Sequence, residues 1–180
     1  MRVTIGGPPG SGKTTVAKIV SNQIGYKHIY TGDIFRNLAK ERGLSIEDFS
    51  KIAEADNSID IEVDRRQKKL GKQENIILEG RMARFIIEPD FSVWVTAPFE
   101  VRAKRLSQRE NIPYEEVYKN TKSREESEIK RYQKIYDVDI YNLVAYDLVI
   151  NSAHWSAEGV SEIIIAAIKN RSPVPKGDRV

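Results

Sequence analysis

The chain has 180 residues, 40% apolar and 31% charged, with 29 lysines and arginines against 26 aspartates and glutamates, two histidines and no cysteine. That length and apolar share suit one buried core and exclude a disordered chain, and the missing cysteines exclude a disulfide scaffold, a thiolate metal site and a cysteine nucleophile. His28 and His154 lie too far apart for a histidine cluster, no apolar run reaches the roughly 18 residues of a membrane span, and the slight basic excess is interspersed with acids, as where Lys68-Lys69 follow Glu62 and Asp64, rather than gathered into a nucleic-acid patch.

In chain order, residues 2–5 form a short apolar strand that runs into Gly6-Gly7-Pro8-Pro9-Gly10, where glycine and proline forbid regular structure. From Lys13 the apolar Val16, Ala17, Ile19, Val20 and Ile24 recur at helical spacing until Gly25, a C-cap residue. Residues 26–30 are a second strand. Helical spacing resumes from Asp33 through Ile34, Phe35, Leu38 and Ala39 to Gly43, and Ser45-Ile46-Glu47-Asp48 reads as a capping box that opens another short helix. Residues 75–79, 91–96 and 146–150 are three further buried strands, separated by helices at about 98–110 and 113–136, and a last helix spans 156–169. Strands alternating with helices call for a parallel sheet covered on both faces. The prediction is an α/β fold, a five-stranded doubly wound parallel sheet in a single domain of residues 1–170, followed by a loose tail at 171–180. The opening strand pattern is no leader peptide, so a soluble, cytoplasmic chain is expected.

Gly7-Pro8-Pro9-Gly10-Ser11-Gly12-Lys13-Thr14 matches G-x-x-x-x-G-K-[ST], and it sits where that motif works, after a strand and at the start of a helix. Its glycines let backbone N–H groups turn inward around an oxyanion, and the helix N-terminus adds partial positive charge. Lys13 can reach the β- and γ-phosphates of ATP, the Thr14 hydroxyl can ligate Mg²⁺, and Thr15 completes the binding segment. A GTPase would add N-K-x-D and D-x-x-G, which are missing. A large ATPase module would be longer. The remaining class is a small kinase that moves the γ-phosphoryl group onto a second small molecule.

Thr31-Gly32-Asp33-Ile34-Phe35-Arg36 follows the second strand and resembles the T-G-D-x-x-R of nucleoside monophosphate kinases, whose arginine grips the acceptor phosphate. A guanidinium fork suits a phosphate dianion. The apolar residues 76–78 end in Glu79, the expected position for a carboxylate that holds Mg²⁺ through water, and Arg81 then emerges at the carboxyl edge of the sheet. From Lys119 to Glu128 there is no apolar side chain, so this stretch is not expected to pack in a core. A solvated helix with i,i+4 charge pairs explains most of it. It explains less well why Arg124, Glu128 and Arg131 share one face.

Adenylate kinases read D-G-F-P-R where this chain has Glu79-Gly80-Arg81-Met82-Ala83, and Arg124, Glu128 and Arg131 are similar to the R-D-x-x-D-x-x-R of cytidylate kinases. Together with residues 124–132, 137–140 and 146–151, the resemblance to archaeal-type cytidylate kinases covers nearly the whole chain. It implies a P-loop NTPase fold with a helical acceptor-binding segment at about 32–70 and a lid at about 110–128. The implied reaction is transfer of phosphoryl from MgATP to CMP, and also dCMP, giving CDP or dCDP and ADP. It places Asp33, Arg36, Arg81, Glu128 and Arg131 at CMP, and sets Arg124 and Arg131 beside Lys13 to neutralise the transferring group. Arg105 and Arg109 would border the cleft from the lid, and Thr14 with Glu79 would serve the metal. Implied partners are these small molecules alone, with no nucleic acid or membrane, and the protein would be a monomer. Two alternatives stay open, an adenylate kinase and a kinase-like P-loop ATPase that acts as an assembly factor on RNA or protein. Trp94 and Trp155 are expected in the core, and His28 and His154 as strand-edge and loop residues without a catalytic part.

Overall fold

The apolar runs pair into one parallel sheet. In a computed structural model that describes residues 1–172, the strands are β1 (Arg2–Gly6), β2 (Lys27–Tyr30), β3 (Ile76–Glu79), β4 (Phe91–Thr96) and β5 (Leu148–Asn151). They lie in the order β2-β3-β1-β4-β5, and every neighbouring pair is parallel. The helices are α1 (Lys13–Ile24), α2 (Thr31–Glu41), α3 (Ile46–Ala55), α4 (Asn57–Leu70), α5 (Ala83–Ile86), α6 (Phe99–Glu110), α7 (Tyr114–Tyr136) and α8 (Ala157–Asn170). Among the described residues no helix is long and apolar enough to cross a membrane.

Side chains alternate across each strand, so each face gathers its own apolar set. Val3, Ile5, Ile77, Val93 and Val95 pack against Val16, Ala17 and Val20 of α1 and Val160 and Ile164 of α8. On the opposite face Ile29, Ile76, Leu78 and Trp94 meet Ile34 and Leu38 of α2, Phe49 of α3, Ile59 and Val63 of α4, and Ala83 and Ile86 of α5. This is the doubly wound five-stranded sheet expected. The inner strand β3, flanked by β2 and β1, is buried at every position, which is why it reads as a continuous apolar run. All five carboxyl ends lie on one edge of the parallel sheet, and β1 and β3 deliver the P-loop and Glu79 there in adjacent positions, since Ile5 pairs with Glu79.

Two expectations need correction, and one helix has no sequence reading of its own. Helix α4 is a separate element, capped by the Asp56 side chain on the Ser58 N–H; its buried face is only Ile59, Val63 and Gln67, too narrow to stand out among its charges. Trp94 is a core residue at 1% exposure, but Trp155 is 55% exposed, because the short 3₁₀ turn Ser152–His154 carries it past the edge of the sheet. The polar stretch of α7 is not simply solvated either, since Thr121 and Glu128 are buried. The Ser45 hydroxyl does accept the Asp48 N–H at 3.0 Å and opens α3. The loose tail was predicted for 171–180, of which 173–180 lie outside the described residues.

Candidate active site

The P-loop spans the gap between β1 and α1. Gly12 caps α1 with φ 90°, and Gly10 has φ 76°, a region that L side chains rarely adopt. A Cβ on Gly10 would also run into the carbonyl and Cβ of Arg102, so glycine is required there twice over. The Ser11 N–H donates to the Pro8 carbonyl at 3.3 Å. Lys13 curls back over the loop and donates from Nζ to the same carbonyl, also at 3.3 Å. Its ammonium pKa is pushed down to about 7, first by burial and then by repulsion from Arg81, Arg124 and Arg109, with Glu79 pulling the other way. A lysine pressed by three guanidinium groups marks a place where negative charge is to be received.

At the carboxyl end of β3, Glu79 is completely buried. Its Oε1 accepts the Thr14 hydroxyl at 2.6 Å, and its Oε2 lies 3.0 Å from His28 Nε2. The Thr31 hydroxyl donates to the Glu79 main-chain oxygen at 2.7 Å, which ties the first residue of α2 to the same strand. A threonine hydroxyl and a carboxylate held together beside a phosphate cradle are the hard oxygen donors that Mg²⁺ takes, directly or through water. The residues fit that ion.

The arginines singled out in the sequence do not all come together. Arg81 pairs with Glu128, and Arg124 Nε donates to Glu128 Oε1 at 3.0 Å, so α7 bends its charged face over the end of β3. Burial lowers the Arg81 guanidinium from its usual value. Arg131, one turn further along α7, instead faces Asp60 of α4 at 2.9 Å. Arg36 is held by Asp33 at 2.6 Å and lies over the Tyr30 ring, 5.1 Å from its centroid. Arg109 is exposed and pairs with its neighbour Glu110 at 2.5 Å, while bordering with Arg124 and Pro9 a cavity of about 150 Å³ between α6, α7 and the P-loop. Arg105 lies elsewhere. Its guanidinium donates to the Ser152 hydroxyl and carbonyl at 2.9 Å each, and that hydroxyl donates to the Ser11 carbonyl at 2.7 Å, so Arg105 props the P-loop from behind.

Sequence reasoning missed the residues that fasten these parts together. Arg102 is buried and donates to the carbonyls of Ala97 and Pro9 at 3.0 Å each and to Glu125 at 2.5 Å, bridging P-loop and α7. One signal was available, since Arg102 shares the buried face of α6 with Ala103 and Leu106. Asp64 of α4 accepts Gln67 Nε2 at 3.0 Å and the Tyr136 hydroxyl, which fastens the end of α7 to α4. No local pattern announces that pair.

A P-loop opening α1 and a carboxylate ending the adjacent strand, under a helix that brings arginines to the same edge, define a P-loop kinase. Residues 2–154 match the model of the cytidylate kinase-like family. The chain is 47% identical over 175 residues to the cytidylate kinase of Methanocaldococcus jannaschii, covering 94% of this chain and 98% of that one. It is 48% identical over 169 residues to the cytidylate kinase of Methanocella arvoryzae, covering 93% and 97%. Among solved structures, the shikimate kinase of Aquifex aeolicus superposes with a TM-score of 0.56 at 18% identity, covering 94% of this chain and 96% of that one, a likeness of fold alone. The chain belongs to the cytidylate kinase-like family and is a nucleoside monophosphate kinase.

Proposed function

We propose that the enzyme transfers the γ-phosphoryl group of MgATP to CMP, and also to dCMP, releasing ADP and CDP or dCDP. The observation that carries this reading is the convergence of Arg81 and Arg124 on Lys13 beside the P-loop, where burial first and then these guanidinium groups depress the lysine, in a chain whose relatives are cytidylate kinases. Residues Gly7 to Thr15 cradle the donor phosphates, with Thr14 and Glu79 as the holders of Mg²⁺. When bound, the ion draws charge from the donor phosphates. Arg36 and Arg81 take the acceptor phosphate, with Asp33 and Glu128 holding these forks until it arrives. Arg124 and Arg131, with Lys13, neutralise the charge that builds on the equatorial oxygens of the transferring group. No general base is needed, because the attacking oxygen belongs to a phosphate that is already ionised.

In this reading α2 to α4 form the acceptor-binding segment and residues 110–128 the lid, which must keep water from the γ-phosphoryl group. Arg102 then sets how the lid is hung, since it grips the loop under the donor with the same guanidinium that grips Glu125. A coupled assay of ADP release with AMP, CMP, dCMP, UMP and GMP tests the assignment. CMP and dCMP are expected to be the best acceptors. AMP as the best acceptor would overturn the cytidylate assignment, and turnover with none of them would overturn the assigned acceptor class.

A further inference from the structure

We propose that His28 is a positioning residue for the Mg²⁺ site, acting through Glu79. This rests on the reading above, in which Thr14 and Glu79 hold the metal. Glu79 is 0% exposed, and a carboxylate offers only acceptors. Each oxygen is met by one side chain, Oε1 by the Thr14 hydroxyl at 2.6 Å and Oε2 by His28 Nε2 at 3.0 Å. The imidazole therefore supplies an N–H from Nε2. The encounter follows from the parallel register, in which Tyr30 lies beside Glu79 and His28 beside Ile77. Period-two alternation then turns His28, Tyr30 and Glu79 to one face of the sheet, the face covered by α1. Tyr30 lies alongside the imidazole, with ring centroids 6.4 Å apart and planes 18° from parallel.

The consequence reaches Thr14. A hydroxyl that gives its one proton to Glu79 has only lone pairs left to offer a cation. That arrangement depends on the rotamer of Glu79, and donors on opposite oxygens fix it from both sides. Without His28, Oε2 becomes an unpaired buried acceptor, and the carboxylate turns away from Thr14 to find a donor. Loss of a hydrogen-bond partner behind a metal-holding group weakens metal binding by about 10- to 100-fold.

The test is the Mn²⁺ affinity of the ADP complex, read from the electron paramagnetic resonance signal of free Mn²⁺, for wild type, His28→Leu and His28→Gln. His28→Leu is expected to weaken Mn²⁺ by about 10-fold or more, with metal-free ADP affinity unchanged. His28→Gln keeps a side-chain N–H and is expected to recover most of the loss. The apparent Mg²⁺ requirement in turnover should rise in the same order. Should His28→Leu not fold, His28→Asn, whose amide is too short to reach Oε2, takes its place. A fall in melting temperature with unchanged Mn²⁺ affinity would make His28 merely structural and overturn the proposal. Absence of Mn²⁺ binding to wild type with ADP would instead overturn Thr14 and Glu79 as the metal holders, and His28 with them.

Discussion

Lys13 allows the phosphate cradle to be tested through protons rather than turnover. Burial, with Arg81, Arg124 and Arg109, depresses its ammonium from 10.5 to about 7 against the pull of Glu79. At pH 8 an amine of that pKa carries its proton in roughly one molecule in ten. The phosphates of ADP bring negative charge to the same spot and restore the ordinary lysine range. Binding should therefore take up about 0.9 proton at pH 8 and about 0.1 at pH 6. Protonating Lys13 at pH 8 opposes binding by about 1.4 kcal/mol, so ADP should bind roughly tenfold more weakly at pH 8 than at pH 6 from this group alone. Isothermal titration calorimetry in buffers of different ionisation enthalpy reads the uptake directly, and a terminal phosphate with a second pKa of about 6 is already ionised at pH 8. Lys13→Met, with no titrating amine, should show uptake near zero. Wild-type uptake below about 0.2 proton at pH 8 would mean that Lys13 is charged in the empty site and that the arginines do not press on it. Equal uptake in Lys13→Met would place the titrating group elsewhere.

Arg102→Leu strands Glu125 and two carbonyls at once. It should destabilise the fold by about 3–5 kcal/mol and lower the melting temperature by roughly 10 °C, whereas Arg102→Leu with Glu125→Leu should recover more than half of the loss by differential scanning fluorimetry. Arg36→Ala should raise KM for the acceptor by about 10- to 100-fold through loss of a charged phosphate contact and leave KM for ATP nearly unchanged; steady-state kinetics showing the reverse would place Arg36 at the donor. The Asp64 carboxyl is pushed up to about 6, first by burial and further by Asp60, with the Tyr136 hydroxyl and Lys68 opposing. The folded state therefore holds that proton more tightly than the unfolded chain, and this stability is full below about pH 4 and lost as pH rises through about 6. Urea denaturation should show wild type losing about 2 kcal/mol between pH 4 and 6 relative to Asp64→Asn.

Local signals carried most of the fold into view. The P-loop is a contiguous motif, the core strands are apolar runs because helices cover both faces, and the arginines of α7 fall on one face by helical period. What stayed hidden depends on which strand lies beside which. His28 reads as an edge-strand histidine until β2 is placed next to β3, when it meets Glu79. Asp60 and Asp64 look like two more charges on a charged helix until α4 is set across from Arg131 and Tyr136. The stretch from Lys119 to Glu128 reads as solvated because hydropathy does not register an ion pair, yet Arg102 and Arg81 dock it through Glu125 and Glu128. Trp155 misled for the opposite reason, since aromatic bulk suggests burial while a three-residue turn carries the ring to the surface.

Arg36, Arg81 and Arg131 each stand against a carboxylate of the same chain, Asp33, Glu128 and Asp60. In the proposed assignment, where all three meet nucleotide phosphates, the cleft works as an ion exchanger whose resident counter-ions are tethered. On that assignment a nucleotide phosphate would enter by displacing carboxylates that remain attached nearby, so fewer ions would pass into solution than when a bare basic groove is filled. Nucleotide affinity should accordingly vary only shallowly with salt. An anion with nothing beyond its phosphate to contribute must evict a partner already in contact, which leaves inorganic phosphate a poor competitor for the acceptor position.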